Sequence, residues 1–365
     1  KEFLAKFPSH PERTRAEMLL SDATSKLSSP RYLVAALVPR SGQLAFFGDR
    51  VLKGIQLAVH DYNMKDPDNR VEIVVRDTEG SPEKAVAAVT GVAAKGVVAA
   101  IGPAGESLVP MSVVMNSVSH SAGGIGSVMG SKNLKAIVIV GDESFELPAN
   151  KEYATLFQKI YGQVTETTMM DKYHNLGTPI NVAVLNKIQA LPCRNLQRTS
   201  DEAISGITGE TFAARTLLRN TACAGCPVGC IHLGFLREKF SEPNQYLYRQ
   251  VTYDHEPIAC MGAMLSVLDA FQVLTLLEVA EKAGLDVMSA GVALAWATEA
   301  FEKGLISEKE TLIPLKFGDT KAYTQAVKHL GSGANDFYRL LGQGTLKAAQ
   351  QYGGQDFACV LGQEM

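Results

Sequence analysis

Apolar and polar positions follow two regimes along the chain. Up to residue 101, short continuous apolar runs alternate with stripes at helical spacing. YLVAALV (32–38), VEIVVRD (71–77) and VVAAI (97–101) have strand length, and the first ends at Pro39 and Ser41-Gly42. Uninterrupted runs of this kind suit strands buried on both faces, as in parallel sheets. Val51, Leu52, Ile55, Ala58 and Val59 recur at helical spacing and predict a helix over 49–62. A second helix is predicted over 82–94, with Ser81 as N-cap and Pro82 at its first position. The order is βαβαβ, and right-handed crossovers place such a unit in a doubly wound α/β sheet. A helical lead-in over 1–30 precedes it, broken at Pro8 and Pro11.

After Ile101 the texture changes. AGGIGSVMGSKNLKAIVIVG (122–141) reads as a glycine-rich loop followed by a strand, and 143–207 as loops and short helices. From Thr211 onward the pattern is mainly helical, with helices predicted over 211–220, 259–282, 287–303, 319–330 and 335–352. Gly284 and Gly304 fall where helix C-caps belong. The predicted segments are therefore 1–30, 31–101, 102–142 and 143–365.

Composition supports a globular protein of two or three domains: 365 residues, 46% hydrophobic and 20% charged. A net charge of −3 supplies no global positive field for a phosphate backbone, which argues against nucleic acid as a partner. No apolar run approaches the roughly 18–20 residues of a membrane span, so no membrane partner is expected. No export signal pattern opens the chain, and the expected compartment is the cytoplasm.

Six cysteines in this length do not make a disulfide scaffold. Three of them, Cys223, Cys226 and Cys230, stand as C-x2-C-x3-C in a Gly/Pro-rich loop. Short spacings let several sulfurs face one centre, as iron–sulfur clusters require. Zinc with His232 as fourth ligand and three inert buried thiols are the alternatives. Cys193, Cys260 and Cys359 are isolated, and spacing singles out none of them as a fourth ligand. The glycine loop misses two phosphate-binding patterns. Ser131 stands where a P-loop needs Lys, and Met129 takes the third glycine slot of a dinucleotide fingerprint. Close backbone approach to a ligand and a plain tight loop both remain open for it.

Several blocks from about residue 102 onward resemble the tungsten-containing aldehyde ferredoxin oxidoreductases. They are I-G-P-A-G-E (101–106), G-G-I-G-S-V-M-G-S-K-N-L-K-A-I (123–137), N-K-I-Q-A-L-P-C-R-N (186–195), F-A-A-R-T-L-L-R-N-T-A-C-A-G-C-P-V-G-C (212–230), Y-D-H-E-P-I (253–258) and G-L-D-V-M-S-A-G (284–291). The resemblance implies a mainly α oxidoreductase region. It implies a tungsten or molybdenum ion held by two pterins beside a [4Fe–4S] cluster. It implies oxidation of an aldehyde to the carboxylic acid, with ferredoxin as electron acceptor, and is compatible with a homo-oligomer. Cys223, Cys226 and Cys230 match three cluster ligands, and Glu256 matches a carboxylate near the metal. Glu281, Gly284 and Leu285 match a pterin-contacting D-x-x-G-L turn, with Glu in place of Asp. Gly124 and Gly126 lie in the loop that ends the family's pterin-bearing first domain. Read without the resemblance, Glu256 is an ordinary carboxylate at the N-terminus of the predicted 259–282 helix.

The resemblance also implies a fourth cluster cysteine, a second pterin turn and an active-site histidine in positions beyond Met365, so the site is expected to be incomplete in this chain. Residues 31–103 resemble instead the first lobe of branched-chain amino-acid binding proteins of ABC transporters, a periplasmic-binding-protein-type lobe. The wording is V-P-R-S-G-Q-L-A-F-F-G-D-R-V-L-K-G-I-Q-L-A (38–58), V-V-R-D-T-E-G-S-P-E-K-A-V (74–86) and G-V-V-A-A-I-G-P (96–103). The two likenesses meet at Ile101-Gly102-Pro103. A solute-binding module and an inactive chimeric fragment are the alternatives to an oxidoreductase.

Overall fold

A computed structural model describes residues 32–42, 45–65, 71–79, 97–116, 121–141, 151–223, 226–241 and 245–360. The expected lead-in over 1–30 and the helix over 82–94 lie outside the described residues. The strands in chain order are β1 (Tyr32–Val38), β2 (Val71–Asp77), β3 (Val97–Ile101), β4 (Val113–Asn116), β5 (Ser121–Ile125), β6 (Ala136–Gly141), β7 (Leu217–Thr221), β8 (Ile231–Ser241) and β9 (Gln245–Tyr253). The chain divides into two compact units. One holds residues 1–98 and 132–146, the other residues 99–131 and 147–365.

In the first unit β1 is the middle strand. It runs parallel to β2 with Val34 opposite Ile73, and antiparallel to β6 with Ala35 opposite Val138. Helix Ala45–Lys65 sets Leu52 against Ala36 and Val38. All three strands predicted here have the expected bounds, but the doubly wound parallel sheet does not form. The second neighbour of β1 is antiparallel, and β3 pairs antiparallel with β4 through Ala100 and Met115. The apolar run of β1 reports burial on both faces. It carries no information on the direction of the neighbouring strand.

The second unit is built around helices Ala270–Ala283 and Val287–Glu302. The latter is buried on every side from Ala290 to Ala300, with Trp296 fully enclosed. Asp269 opens the first of these helices by accepting from the backbone N–H groups of Phe271 and Gln272 at 3.1 and 3.2 Å. Such caps satisfy donors that the first helical turn leaves unpaired.

Three expectations change in this unit. The predicted 211–220 helix ends at Arg215, and Leu217 starts β7, the edge of an antiparallel sheet in the order β7-β8-β9. The 259–282 helix is interrupted: a π-helical turn spans Ala259–Ala263, and Ser266 has φ +56° before the Asp269 cap. The 335–352 helix splits into Asp336–Leu341 and Thr345–Tyr352, because Gly342-Gln343-Gly344 breaks it with Gly344 at φ +121°. The last two misses share one origin: apolar spacing was read through a local break that a cap or a positive φ enforces.

The segment 191–198 folds against the π turn. Arg194, Asn195 and Leu196 take φ values of +49°, +51° and +57° in succession. Their N–H groups are thereby turned inward: Arg194 N donates to Ala263 O at 2.9 Å and Asn195 N to Met264 O at 3.1 Å.

The E-K-A-G-L turn is held by a close approach of two backbones. Gly284 has φ +73°, and a Cβ there would lie 2.6 Å from Gly102 N. A Cβ on Gly102 would lie 2.5 Å from Ala283 O. Val113 N donates to Gly284 O at 2.8 Å and Asp286 N to Met111 O at 2.9 Å, which pins 111–113 along the turn. Gly304 has a similar φ of +70° but open space around its Cβ position. Gly284→Ala should therefore cost at least about 2 kcal/mol more than Gly304→Ala, because only the first adds a backbone clash to the left-handed strain. Urea unfolding of the two variants checks this, and equal losses would show that the contact is not tight.

Candidate functional site

Cys223, Cys226 and Cys230 lie in the loop between β7 and β8. Cys223 and Cys226 are exposed and Cys230 is half-buried. A turn begins the loop, with Cys226 N donating to Cys223 O at 3.0 Å. Two histidines brace it from the protein side. His174 Nδ1 lies 2.8 Å from Val228 O. His232, fully buried, places Nδ1 2.9 Å from Cys230 O and Nε2 2.9 Å from His174 O. Gly229 at φ +64° turns the chain beside His174, where a Cβ would come within 3.1 Å of that ring.

This geometry removes the zinc alternative that used His232, since both ring nitrogens are engaged by backbone carbonyls. The inert-thiol alternative also fails for these three, since two of them face solvent. Among the described residues no three His, Cys, Asp or Glu side chains converge closely enough to hold a metal ion. The structure thus brings the three sulfurs into one braced loop without drawing them to one point. The donor set itself, three accessible thiols on a short loop, fits a cluster whose iron atoms would gather them. The isolated cysteines differ. Burial pushes the Cys193 and Cys359 thiols up to about 11 and Cys260 up to about 12, which keeps all three protonated.

The predicted carboxylates do meet. Glu256, Glu281 and Leu285 line one cavity of about 250 Å³, together with Asp254, Thr252 and Met288. Glu256 sits in the first turn of the short helix His255–Ile258, and Glu281 in the last turn of Ala270–Ala283. Burial, reinforced by the negative charges of Glu278 and Asp254, pushes Glu281 up to about 8. Burial pushes the neighbouring His255 ring below its ordinary value, against the pull of Glu256, so the ring is neutral. His255 is fixed through its backbone, whose N–H donates to Thr178 Oγ1 at 2.9 Å. Asp254 was missed from sequence. The available signal was its place in the Y-D-H-E-P-I block, two residues before Glu256.

The glycine loop separates into two roles. Gly124, at φ +76°, has nothing near its Cβ position and is open to a ligand. Gly126 is spent on internal packing: its Cβ position lies 2.7 Å from Ser112 C and 2.8 Å from Ser112 Oγ. The Ser112 hydroxyl is buried there with no hydrogen-bond partner.

The fold places a cysteine loop and a carboxylate cavity on one helical core, and comparison with known proteins supplies the family. The profile of "Aldehyde ferredoxin oxidoreductase, domains 2 & 3" matches residues 155–365, and that of the same family's N-terminal domain matches 69–141. The chain belongs to the aldehyde ferredoxin oxidoreductase family. It is 28% identical over 367 residues to the tungsten-containing aldehyde ferredoxin oxidoreductase of Pyrococcus abyssi, covering 92% of this chain and 58% of that protein. It is 30% identical over 270 residues to the protein of that name from Pyrococcus horikoshii, covering 71% of this chain and 42% of that one. The chain thus spans about half the length of these relatives. The active-site complex BamBC of benzoyl coenzyme A reductase shares the fold, with a TM-score of 0.57 at 23% identity over 78% of this chain and 45% of that one. The N-terminal profile begins at residue 69 and runs through Ile101-Gly102-Pro103, so the family likeness starts well before residue 102. These comparisons give the solute-binding reading no support.

Glu281 has a stability signature. Its folded value lies above the ordinary carboxylate value of 4.5, so the stability from burying it protonated is present below about pH 4.5 and is lost as pH rises through about 8. Glu281→Gln should raise the melting temperature by about 3 °C or more at pH 9 and change it little at about pH 4.5. Scanning calorimetry at the two pH values checks this, and an equal shift at both would refute it.

Proposed function

We propose that this chain contributes the cluster loop and the carboxylate pocket of an enzyme that oxidises an aldehyde to a carboxylic acid. The observation that carries the proposal is the shared cavity. The Y-D-H-E-P-I and E-K-A-G-L blocks are 25 residues apart from Glu256 to Glu281, yet both line one pocket. When bound, a tungsten or molybdenum bis-pterin supplies the two-electron acceptor, and a [4Fe–4S] cluster passes electrons singly towards ferredoxin.

The roles of the chain's own residues follow from their surroundings. Cys223, Cys226 and Cys230 hold the cluster, and His174 and His232 keep their loop in place. Glu256, which is exposed to solvent, takes one of the two protons released when water and two-electron oxidation turn the aldehyde into the acid, the other leaving to solvent. Glu281, kept protonated at neutral pH by burial, donates a hydrogen bond into the cavity and adds no second negative charge beside Glu256. Leu285 lines the pocket, and the close contact of Gly284 with Gly102 fixes the turn that carries it there. Gly124 leaves the glycine loop open to close approach of a pterin.

Anaerobically purified protein should carry about four irons per chain and absorb broadly in the visible blue. Cys226→Ser should lower the iron content, whereas Glu256→Gln should leave it unchanged. In protein loaded with both cofactors, Glu256→Gln should lower aldehyde-dependent reduction of benzyl viologen by about 100-fold or more. Stoichiometric zinc without iron, or full turnover in Glu256→Gln, would sink the proposal.

A further inference from the structure

The side of helix Ala270–Ala283 that carries Glu278, Val279 and Lys282 faces a second and larger cavity, of about 750 Å³. It is closed by β8 and β9 on one side and helix Thr320–Ser332 on the other. Its floor is apolar, with Pro103, Leu236, Val279 and Ala283. Its charges are one-sided. Among the described residues Arg237, Arg249, Lys282 and Lys328 line it, against the single acid Glu278. Burial pushes the His329 ring below its ordinary value, so this lining histidine adds no charge at neutral pH.

Glu278 does not neutralise the wall. It is shared by two cations, pairing with Arg249 and with Lys282 Nζ at 2.6 Å. Arg237 is held over the Tyr246 ring at 4.5 Å, a contact that fixes a guanidinium without cancelling its charge. Lys328 and Arg237 form no ion pair among the described residues. The formal excess is four cations minus one acid, or three positive charges around an apolar floor. A concave cavity of this volume suits a small molecule better than the flat face of a protein.

We propose that this cavity binds a small organic polyanion, an apolar or ring-shaped body bearing two or three negative charges. The site is separate from the carboxylate cavity, which faces the opposite charge requirement, and it stands whether or not the oxidoreductase proposal does. Phosphate and carboxylate groups share the chemistry that four cations recognise, so the source is left to the probe.

Calorimetric titration of the 365-residue chain with ADP, pyrophosphate and citrate at about 20 mM salt tests the site. At least one probe should bind with 1:1 stoichiometry, and binding should weaken when salt is raised to about 200 mM. The exposed pair Lys282→Gln/Lys328→Gln should weaken it about tenfold or more. Arg237→Gln should weaken it about threefold, and Lys347→Gln, outside the cavity, should leave it unchanged. Circular dichroism confirms that each variant is folded. Tighter ADP binding assigns phosphates on a ring-bearing body, and tighter citrate binding assigns carboxylates. No binding of any probe at millimolar concentration would overturn the proposal. So would affinities that ignore the cavity variants, or a dimer sensitive to those variants in protein that binds no anion.

Discussion

The second unit depends on two stretches of backbone meeting where no side chain fits. Gly102 and Gly284 lie so close that a β-carbon on either would overlap the other's main chain. That contact stops the Ala270–Ala283 helix at a left-handed residue and lays 111–113 along the turn that follows. Glu281 and Leu285 are thereby presented to the same pocket as Glu256. Side-chain packing alone would not fix this arrangement, since a shift of one residue along either strand would separate the acids.

Around that contact the helix Ala270–Ala283 divides two electrostatic environments. Glu281 looks into a pocket with Asp254 and Glu256, where burial and like charge make ionisation costly. Glu278 and Lys282 look into a cavity where cations outnumber acids. Helical geometry makes this possible, because Leu277 and Glu281, four apart, line the first pocket while Glu278 and Lys282, also four apart, line the second. Val273, Leu274, Leu276 and Ala280, buried between them, contribute no charge.

Strand positions were legible in the sequence where apolar runs were continuous, and β1, β2 and β3 have the bounds that the runs predict. Strand direction was not legible, because an apolar run is the same whether its neighbour is parallel or antiparallel. The β7-β8-β9 sheet was missed, since His232, Arg237 and Arg249 interrupt the alternation that would have marked its strands. The cysteine loop was legible from its spacing, Glu256 only as wording. The histidine brace beside the loop comes from contacts across 54 to 58 residues that no local pattern encodes. For the loop holding Gly126 a ligand cradle and a plain tight turn were both open, and the space beside Gly126 is filled by Ser112.

The helix Val287–Glu302 has a consequence of another kind. With every residue from Ala290 to Ala300 enclosed, its amide hydrogens have no local route to solvent. They can exchange only when the whole unit opens. The cysteine loop, by contrast, rests on a few hydrogen bonds at the surface. The two regions therefore lie at opposite ends of the unit's range of local stabilities, and the loop can rearrange while the frame behind it stays folded.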